Sequence, residues 1–251
     1  MVDFGIARAR DPFQFHIPGL MKAKRVAIVQ SSYIPWKGYF DLIRSVDEFI
    51  LLDDVQFTKR DWRSRNRIKT QDGVAWLTIP VRTKGRFTQS IRDTRVSDAA
   101  WGERHWHTIH ASYVRAPYYR DYAASLEPLF VKPVSQFLSE INHTFIAAIC
   151  RALAIETPIV PSSHYHPGEG RTERIVDLCV AAGATEYLSG PSARGYLDET
   201  AFAAAGIAVR WADYSDYPEY PQVHPPFDHY VTVLDLLFCT GSHATSYMKP
   251  L

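Results

Sequence analysis

Short, unbroken apolar runs alternate with amphipathic stretches along this chain, and that rhythm predicts its fold. "RVAIVQ" (25–30) is continuously apolar and β-branched, the pattern of a strand covered on both faces. In "KGYFDLIRSVD" (37–47), Phe40, Ile43 and Val46 recur at helical spacing with Leu42 alongside, and "EFILLDD" (48–54) is again a buried strand, ending in two carboxylates. Strand, polar loop, helix, strand is the opening unit of a doubly wound α/β fold. "VAWLTIPVR" (74–82) reads as another strand, and 101–154 as helices interrupted by Pro117, Pro128 and Pro133. The α/β rhythm then resumes: strand and exit loop at 158–166, an amphipathic helix at 171–184, and a strand running into a Gly- and Ser-rich turn at 185–197. "TAFAAAGIAVRWADY" adds helix and strand, a Pro- and Tyr-rich connector at 216–226 reads as a surface loop or a lid, and "VTVLDLLFCTG" closes as a helix. The prediction is a Rossmann-like, mainly parallel sheet flanked by helices, with a helical insertion at about 101–154. Ligands in such sheets sit beyond the carboxyl ends of the strands. "QSSYIPWKG" and "DDVQFTKRDWRSRN" both fall there and should face one crevice.

Composition narrows the class. With 251 residues, 46% of them hydrophobic, the chain can bury a substantial core. Its 28 Lys and Arg nearly balance 27 Asp and Glu, for a net charge of +1. No global polycation is available to a nucleic-acid backbone, so a stable nucleic-acid complex is not expected and any anion site must be local. Cys150, Cys179 and Cys239 are odd in number and lack CxxC spacing, which points to neither a disulfide framework nor a zinc ribbon and suits a reducing cytoplasm. No apolar run is long enough for a membrane span. Residues 1–20 lack the apolar core of a secretory signal and are expected to be a loosely ordered extension to a single domain over 21–251.

The strongest local signal is "DDVQFTKRDWRSRNRIK" (53–69). It sets Asp53, Asp54 and Asp61 against Lys59, Arg60, Arg63, Arg65, Arg67 and Lys69, with Gln56 and Asn66 as neutral donors. Arginines there can grip phosphate or carboxylate bidentately while an acid orients an amine, a hydroxyl or a metal ion; a solvated, self-paired loop is the competing interpretation. In the first loop Gln30, Tyr33, Trp36, Lys37 and Gly38 offer a point charge, stacking rings and close backbone approach, or else an aromatic cap on the sheet. Neither a phosphate-loop motif nor GxGxxG is present. Ser189, Gly190 and Ser192 stand at a third strand end, where backbone N–H groups before a helix hold anions or merely cap a turn. His105, His107, His110, His164 and His166 have spacings that metals use, but packing histidines are the better interpretation, and no metal site is assigned. Cys239 with His243 and His229 suggests thiol chemistry without an oxyanion site to join it.

These stretches, with "WLTIPV", "YLSGPSARGYLD", "GIAVRWADYSDYPEYPQ" and "FDHYVTVLDLLF", resemble the WbqC-like protein family in the same order over roughly residues 25–248. The resemblance implies bacterial O-antigen, lipopolysaccharide or other surface-sugar pathways, or secondary-metabolite biosynthesis, and modification of an activated amino sugar or amine. It suggests amide-forming acyl or aminoacyl transfer. In that scheme Lys37, Lys59, Arg60 and Arg63 hold phosphate or carboxylate, and Asp53 or Asp54 positions or deprotonates the amine. Gly190 and Ser192 hold the other end, with His229 as a reserve general base. The donor would be an acyl carrier protein or a tRNA. The alternatives are an ATP- and Mg²⁺-dependent ligase or nucleotidyl transferase, and a non-catalytic protein that binds a nucleotide sugar or a carrier protein. Where many members carry Asn in the last helix, this chain has Cys239. The layout is also faintly similar to pantothenate-synthetase-type and nucleotidylyltransferase folds, with "PWKGY" in place of their His-x-Gly-His element.

Overall fold

The structure is a computed structural model describing residues 23–251, so the extension expected at 1–20 lies outside the described residues. Numbered along the chain, β1 (Arg25–Val29), β2 (Glu48–Leu51), β5 (Ile159–Pro161), β6 (Glu186–Ser189) and β7 (Ala208–Trp211) form a sheet in which every pairing is parallel. Their spatial order is β5-β2-β1-β6-β7. Helix α1 (Lys37–Arg44) joins β1 to β2, α5 (Thr172–Ala181) joins β5 to β6, and α6 (Glu199–Ala204) joins β6 to β7. Between β2 and β5 the chain inserts α2 (Trp101–Tyr113), α3 (Tyr119–Val131) and α4 (Leu138–Ala152), and α7 (Val233–Thr240) follows the sheet.

Both faces of the sheet are covered, which is why its strands read as continuous apolar runs. Val26, Ile28, Ile50 and Tyr187 pack with Ile175, Leu178 and Phe202 of α5 and α6. Ala27, Phe49, Leu51 and Leu188 point the other way, into the larger core with Phe40, Ile43, Phe145, Ile149 and Leu237. Helix α1 is enclosed on all sides: every residue from Lys37 to Ile43 is buried, including the charged Lys37 and Asp41.

Strand order and pairing create the site. From β1 the chain winds outward to β2 and β5, then returns to β6 on the other side of β1, so β1/β6 is the topological switch point where such sheets bind ligands. The ladder from β1 to β2 runs from Val26–Glu48 to Val29–Leu51, whereas that from β1 to β6 has only Arg25–Glu186 and Val26–Tyr187. Beyond Val26 the central strands part. A crevice opens at their carboxyl ends.

One part of the local pattern differs from the sequence prediction. Residues 65–70, expected as part of a charged loop, are strand β3 (Arg65–Thr70), which pairs antiparallel with β4 (Gly73–Thr78) in a separate two-stranded sheet. The stretch predicted as one strand at 74–82 is therefore a hairpin arm, and no part of the parallel sheet. In β3 the buried positions are Asn66, Ile68 and Lys69, with Arg65 and Arg67 half-exposed. A strand whose inward face begins with asparagine has no apolar alternation for the eye to find.

Candidate functional site

Two cavities meet at the carboxyl end of β1. The larger, about 690 Å³, fills the gap between the parting strands and is lined by Ile28, Val29 and Gln30 from β1 and its exit, Gln56 and Thr58 after β2, and Tyr187, Ser192 and Tyr196 from β6 and the turn beyond it. The start of α5 closes it with Gly170, Arg171, Thr172 and Arg174. Gly170 takes φ +100°, a left-handed conformation that glycine accepts without strain, and so turns the chain into the helix. The first-turn N–H groups of α5 and two arginines thus border one space. Arg174 Nε donates to the Gly168 carbonyl at 3.0 Å, and the Arg171 guanidinium lies 4.9 Å from the centre of the Tyr196 ring.

The second cavity, about 350 Å³, is aromatic. Trp36, Tyr39, Trp62 and Tyr230 line it with Val29, Pro35, Ser32, Asn66, Arg63 and Arg67. Trp36 and Tyr230 lie 6.0 Å apart, centre to centre, and Trp36 also packs edge-on against Tyr214 and Tyr217. Arg67 fixes the Tyr230 wall by donating Nε and Nη2 to its carbonyl at 3.0 and 2.6 Å.

Arg63 lines both cavities. It is 9% exposed, its Nη1 donates to Gln30 Oε1, its Nε has no hydrogen-bond partner, and no ion pair to a carboxylate is found for it among the described residues. A buried guanidinium without a counter-charge is costly unless an anion completes it.

A WbqC-like protein family model matches residues 30–247, which include every residue lining the two cavities except Ile28 and Val29. The chain belongs to the WbqC-like protein family. It is 48% identical over 226 residues to the uncharacterized protein Rv1507c of Mycobacterium tuberculosis, covering 90% of this chain and 98% of that protein. No solved structure matches it.

Within this WbqC-like chain, the residues expected to form the site divide among several settings. Gln30, Trp36, Gln56, Arg63, Asn66 and Ser192 line one cavity or both. Ser189 is buried at the end of β6, and a Cβ added at Gly190 would meet the Tyr214 hydroxyl at 3.7 Å. Lys59 and Arg60 are exposed and line neither cavity.

Tyr33, Lys37 and Gly38 are enclosed instead. Tyr33 is fully buried, edge-on to Trp101 and Phe145, so its ring is not open to a ligand. Its hydroxyl meets His105 Nδ1 at 2.8 Å; because His105 Nε2 must donate to the Thr78 carbonyl at 3.2 Å, Nδ1 accepts. Burial lowers the His105 pKa to about 4, which keeps that neutral tautomer. The space beside Gly38 is taken by the Trp36 indole, which an added Cβ would meet at 2.3 Å. Lys37 Nζ donates to the Pro218 carbonyl at 3.1 Å and lies 4.7 and 5.2 Å from the Tyr217 and Tyr220 ring centres.

The acids face elsewhere. Asp53 accepts from the Ser31 N–H at 2.8 Å and from the Ser139 hydroxyl. Asp54 accepts from Ser162 Oγ at 2.7 Å and pairs with Arg92 at 3.0 Å. Both line a third cavity of about 220 Å³ with Glu140 and His143. Burial holds His143 below the usual imidazole range, against the opposing pull of Asp53. His229 Nδ1 is buried without a partner, and burial and the Lys37 charge hold this imidazole below its usual pKa. Cys239 is buried and its thiol pKa is pushed up to about 12, so it is no ready nucleophile.

Tyr39, Trp62, Arg171, Thr172, Arg174 and Tyr230 line the cavities without having been singled out as ligand contacts. A signal existed for three of them: Gly170 followed by Arg171, Thr172 and Arg174 opens an amphipathic helix after a strand, the same logic applied to the turn at 189–192.

Proposed function

We propose that this chain is an enzyme that binds a phosphate-activated amino sugar across the two joined cavities and transfers an acyl or aminoacyl group to its amine. Arg63 carries this interpretation: a buried guanidinium with an unpartnered Nε, held by Gln30, where a polar cavity meets an aromatic one. The phosphates would lie against Arg63, Arg171, Arg174 and the start of α5, and a sugar or base face against Trp36, Trp62 and Tyr230. The amine nitrogen attacks the acyl carbon of the donor, a C–N bond forms, the bond to the donor's leaving group breaks, and the amine gives up one proton. His229, next to the cavity-lining Tyr230 though not itself among the lining residues, is the candidate acceptor for that proton; burial and the Lys37 charge hold its pKa below the usual imidazole value.

Calorimetric titration with nucleotide sugars tests this. The wild-type chain should bind, and Arg63→Gln should weaken binding about 10- to 100-fold, the worth of a charge-assisted hydrogen bond. A folded Arg63→Gln variant that binds as wild type removes the proposal.

The placement of Asp53 and Asp54 favours a second interpretation, a non-catalytic protein that binds and delivers the same ligand. Both carboxylates are engaged outside the crevice, with Arg92 on Asp54, a poorer setting for a magnesium-dependent ligase than the sequence suggested. Product formation from an amino sugar and an acyl donor separates enzyme from binder.

A further inference from the structure

The net charge of +1 conceals a segregation of charge. Residues 59–95 hold eleven Lys and Arg against three Asp and no Glu. Lys59, Arg60, Arg82, Lys84 and Arg86 are exposed, and among the described residues none of the five is paired with a carboxylate. Three large aromatic side chains are exposed among them: Trp62 at 43%, Trp76 at 45% and Phe87 at 73%.

These side chains fall into two contacting groups, joined along the chain by residues 59–62. Trp62 and Trp76 lie 5.5 Å apart, and the Arg65 guanidinium sits 4.1 Å from the Trp76 ring centre. Lys59 lies 5.5 Å from the Phe87 ring centre, and Gln56 Nε2 donates to the Phe87 carbonyl at 2.6 Å, tying the loop carrying Lys84 and Arg86 to the exit of β2. At its inner end the surface reaches the aromatic cavity, since Trp62, Arg63 and Arg67 line it.

We infer that this face docks the single-stranded 3′ end of an RNA, with its terminal nucleoside over the exposed Trp62–Trp76 pair at the edge of the aromatic cavity, next to the bound amino sugar. Unpaired cations interleaved with exposed rings are the arrangement that grips single strands: the cations track phosphates, and every base has a face to stack. An acidic protein would satisfy the cations but leave the rings without planar partners. The inference rests on the proposed function in one respect, that the RNA is the donor and carries its acyl or aminoacyl group as a 3′-terminal ester. The sugar amine then attacks the ester carbon, the C–N amide bond forms, the C–O bond to the ribose breaks, and the amine proton ends on the ribose hydroxyl. Overall neutrality argues against a stable nucleic-acid complex, and the local surface specifies a salt-sensitive, transient one.

The test is fluorescence anisotropy of the full chain with a labelled single-stranded RNA of about 12 nucleotides, within the span of single-strand sites. Binding should saturate and weaken about fiftyfold between about 50 and 200 mM salt if about four phosphates are neutralised. Arg82→Glu/Lys84→Glu/Arg86→Glu should weaken it at least about tenfold, and Trp76→Ala about fivefold or more. Neither variant should change the melting midpoint or nucleotide-sugar binding. Absence of RNA binding at low salt overturns the inference. So does salt-sensitive binding of an acidic carrier protein in place of RNA, lost in the same charge variant. RNA binding without nucleotide-sugar binding would retain the docking face and remove the proposed function instead.

Discussion

Lys37 changes meaning once its surroundings are known. In the sequence it is a point charge in a polar loop; in the fold it is 2% exposed, beneath Tyr217, Pro218 and Tyr220, and burial lowers its pKa from 10.5 to about 8 against the opposing pull of Asp41. The sign follows directly. Between those values the unfolded chain binds more protons at this site than the folded one, so the Lys37 contribution to stability rises with pH. Wild type should therefore gain on Lys37→Met by about 2 kcal/mol between pH 7 and about pH 9.5. Urea unfolding of both proteins checks this, and a pH-independent difference would contradict the buried ammonium. Tyr33 and Asp53 follow the same logic. Their residue types fit ligand binding, but each is spent on a partner supplied by the helical insertion: His105 of α2 for Tyr33, Ser139 of α4 for Asp53. Those partners lie 72 and 86 positions away, beyond the reach of local pattern.

At the scale of elements, the hairpin is what turns the first loop into a wall of the site. Asn66 of β3 donates Nδ2 to the Tyr33 and Ile34 carbonyls at 3.1 and 2.8 Å and accepts from the Arg67 N–H at 2.8 Å. It pins a loop in which Ile34 takes φ +36°, a left-handed conformation uncommon for a β-branched residue. Asn66→Ala leaves two buried carbonyls without this donor and should cost about 1–3 kcal/mol in chemical denaturation. Because the pinned loop leads directly to Trp36, the same variant should also weaken nucleotide-sugar binding; wild-type stability together with wild-type affinity would show that the latch is idle. The parallel strands and α5 were legible because their apolar positions are dense and regular. The hairpin was not, because a buried asparagine stands where an apolar residue would have revealed the alternation.

For the whole molecule, residues 1–20 lack the hydrophobic periodicity of a buried element and precede the first apolar run at 25–30. A chain lacking residues 1–20 should accordingly melt at the same temperature as the full chain and bind nucleotide sugars with the same affinity. A lower midpoint or a loss of binding would assign residues 1–20 a part in the fold or the site. The same scale shows why net charge misleads: +1 over 251 residues coexists with a segment, 59–95, in which cations outnumber acids nearly four to one. At physiological ionic strength fields fade within about 8 Å, so a partner senses the local face and not the sum.

The sequence by itself determined the alternation of buried strands with helices, the parallel character of the sheet, the insertion at about 101–154 and the two polar stretches at strand ends, because all of these are encoded in local periodicity. Tertiary structure decided which polar residues remain free. Strand order made β1/β6 the switch point, their short ladder opened the crevice there, and residues from β3 and α5 together with Tyr230 supplied its walls. It also drew Tyr33, Lys37, Asp53 and Asp54 into other contacts while leaving Arg63 Nε without one. Side-chain availability depends on what packs against each residue from distant parts of the chain, and periodicity within a window carries no record of that.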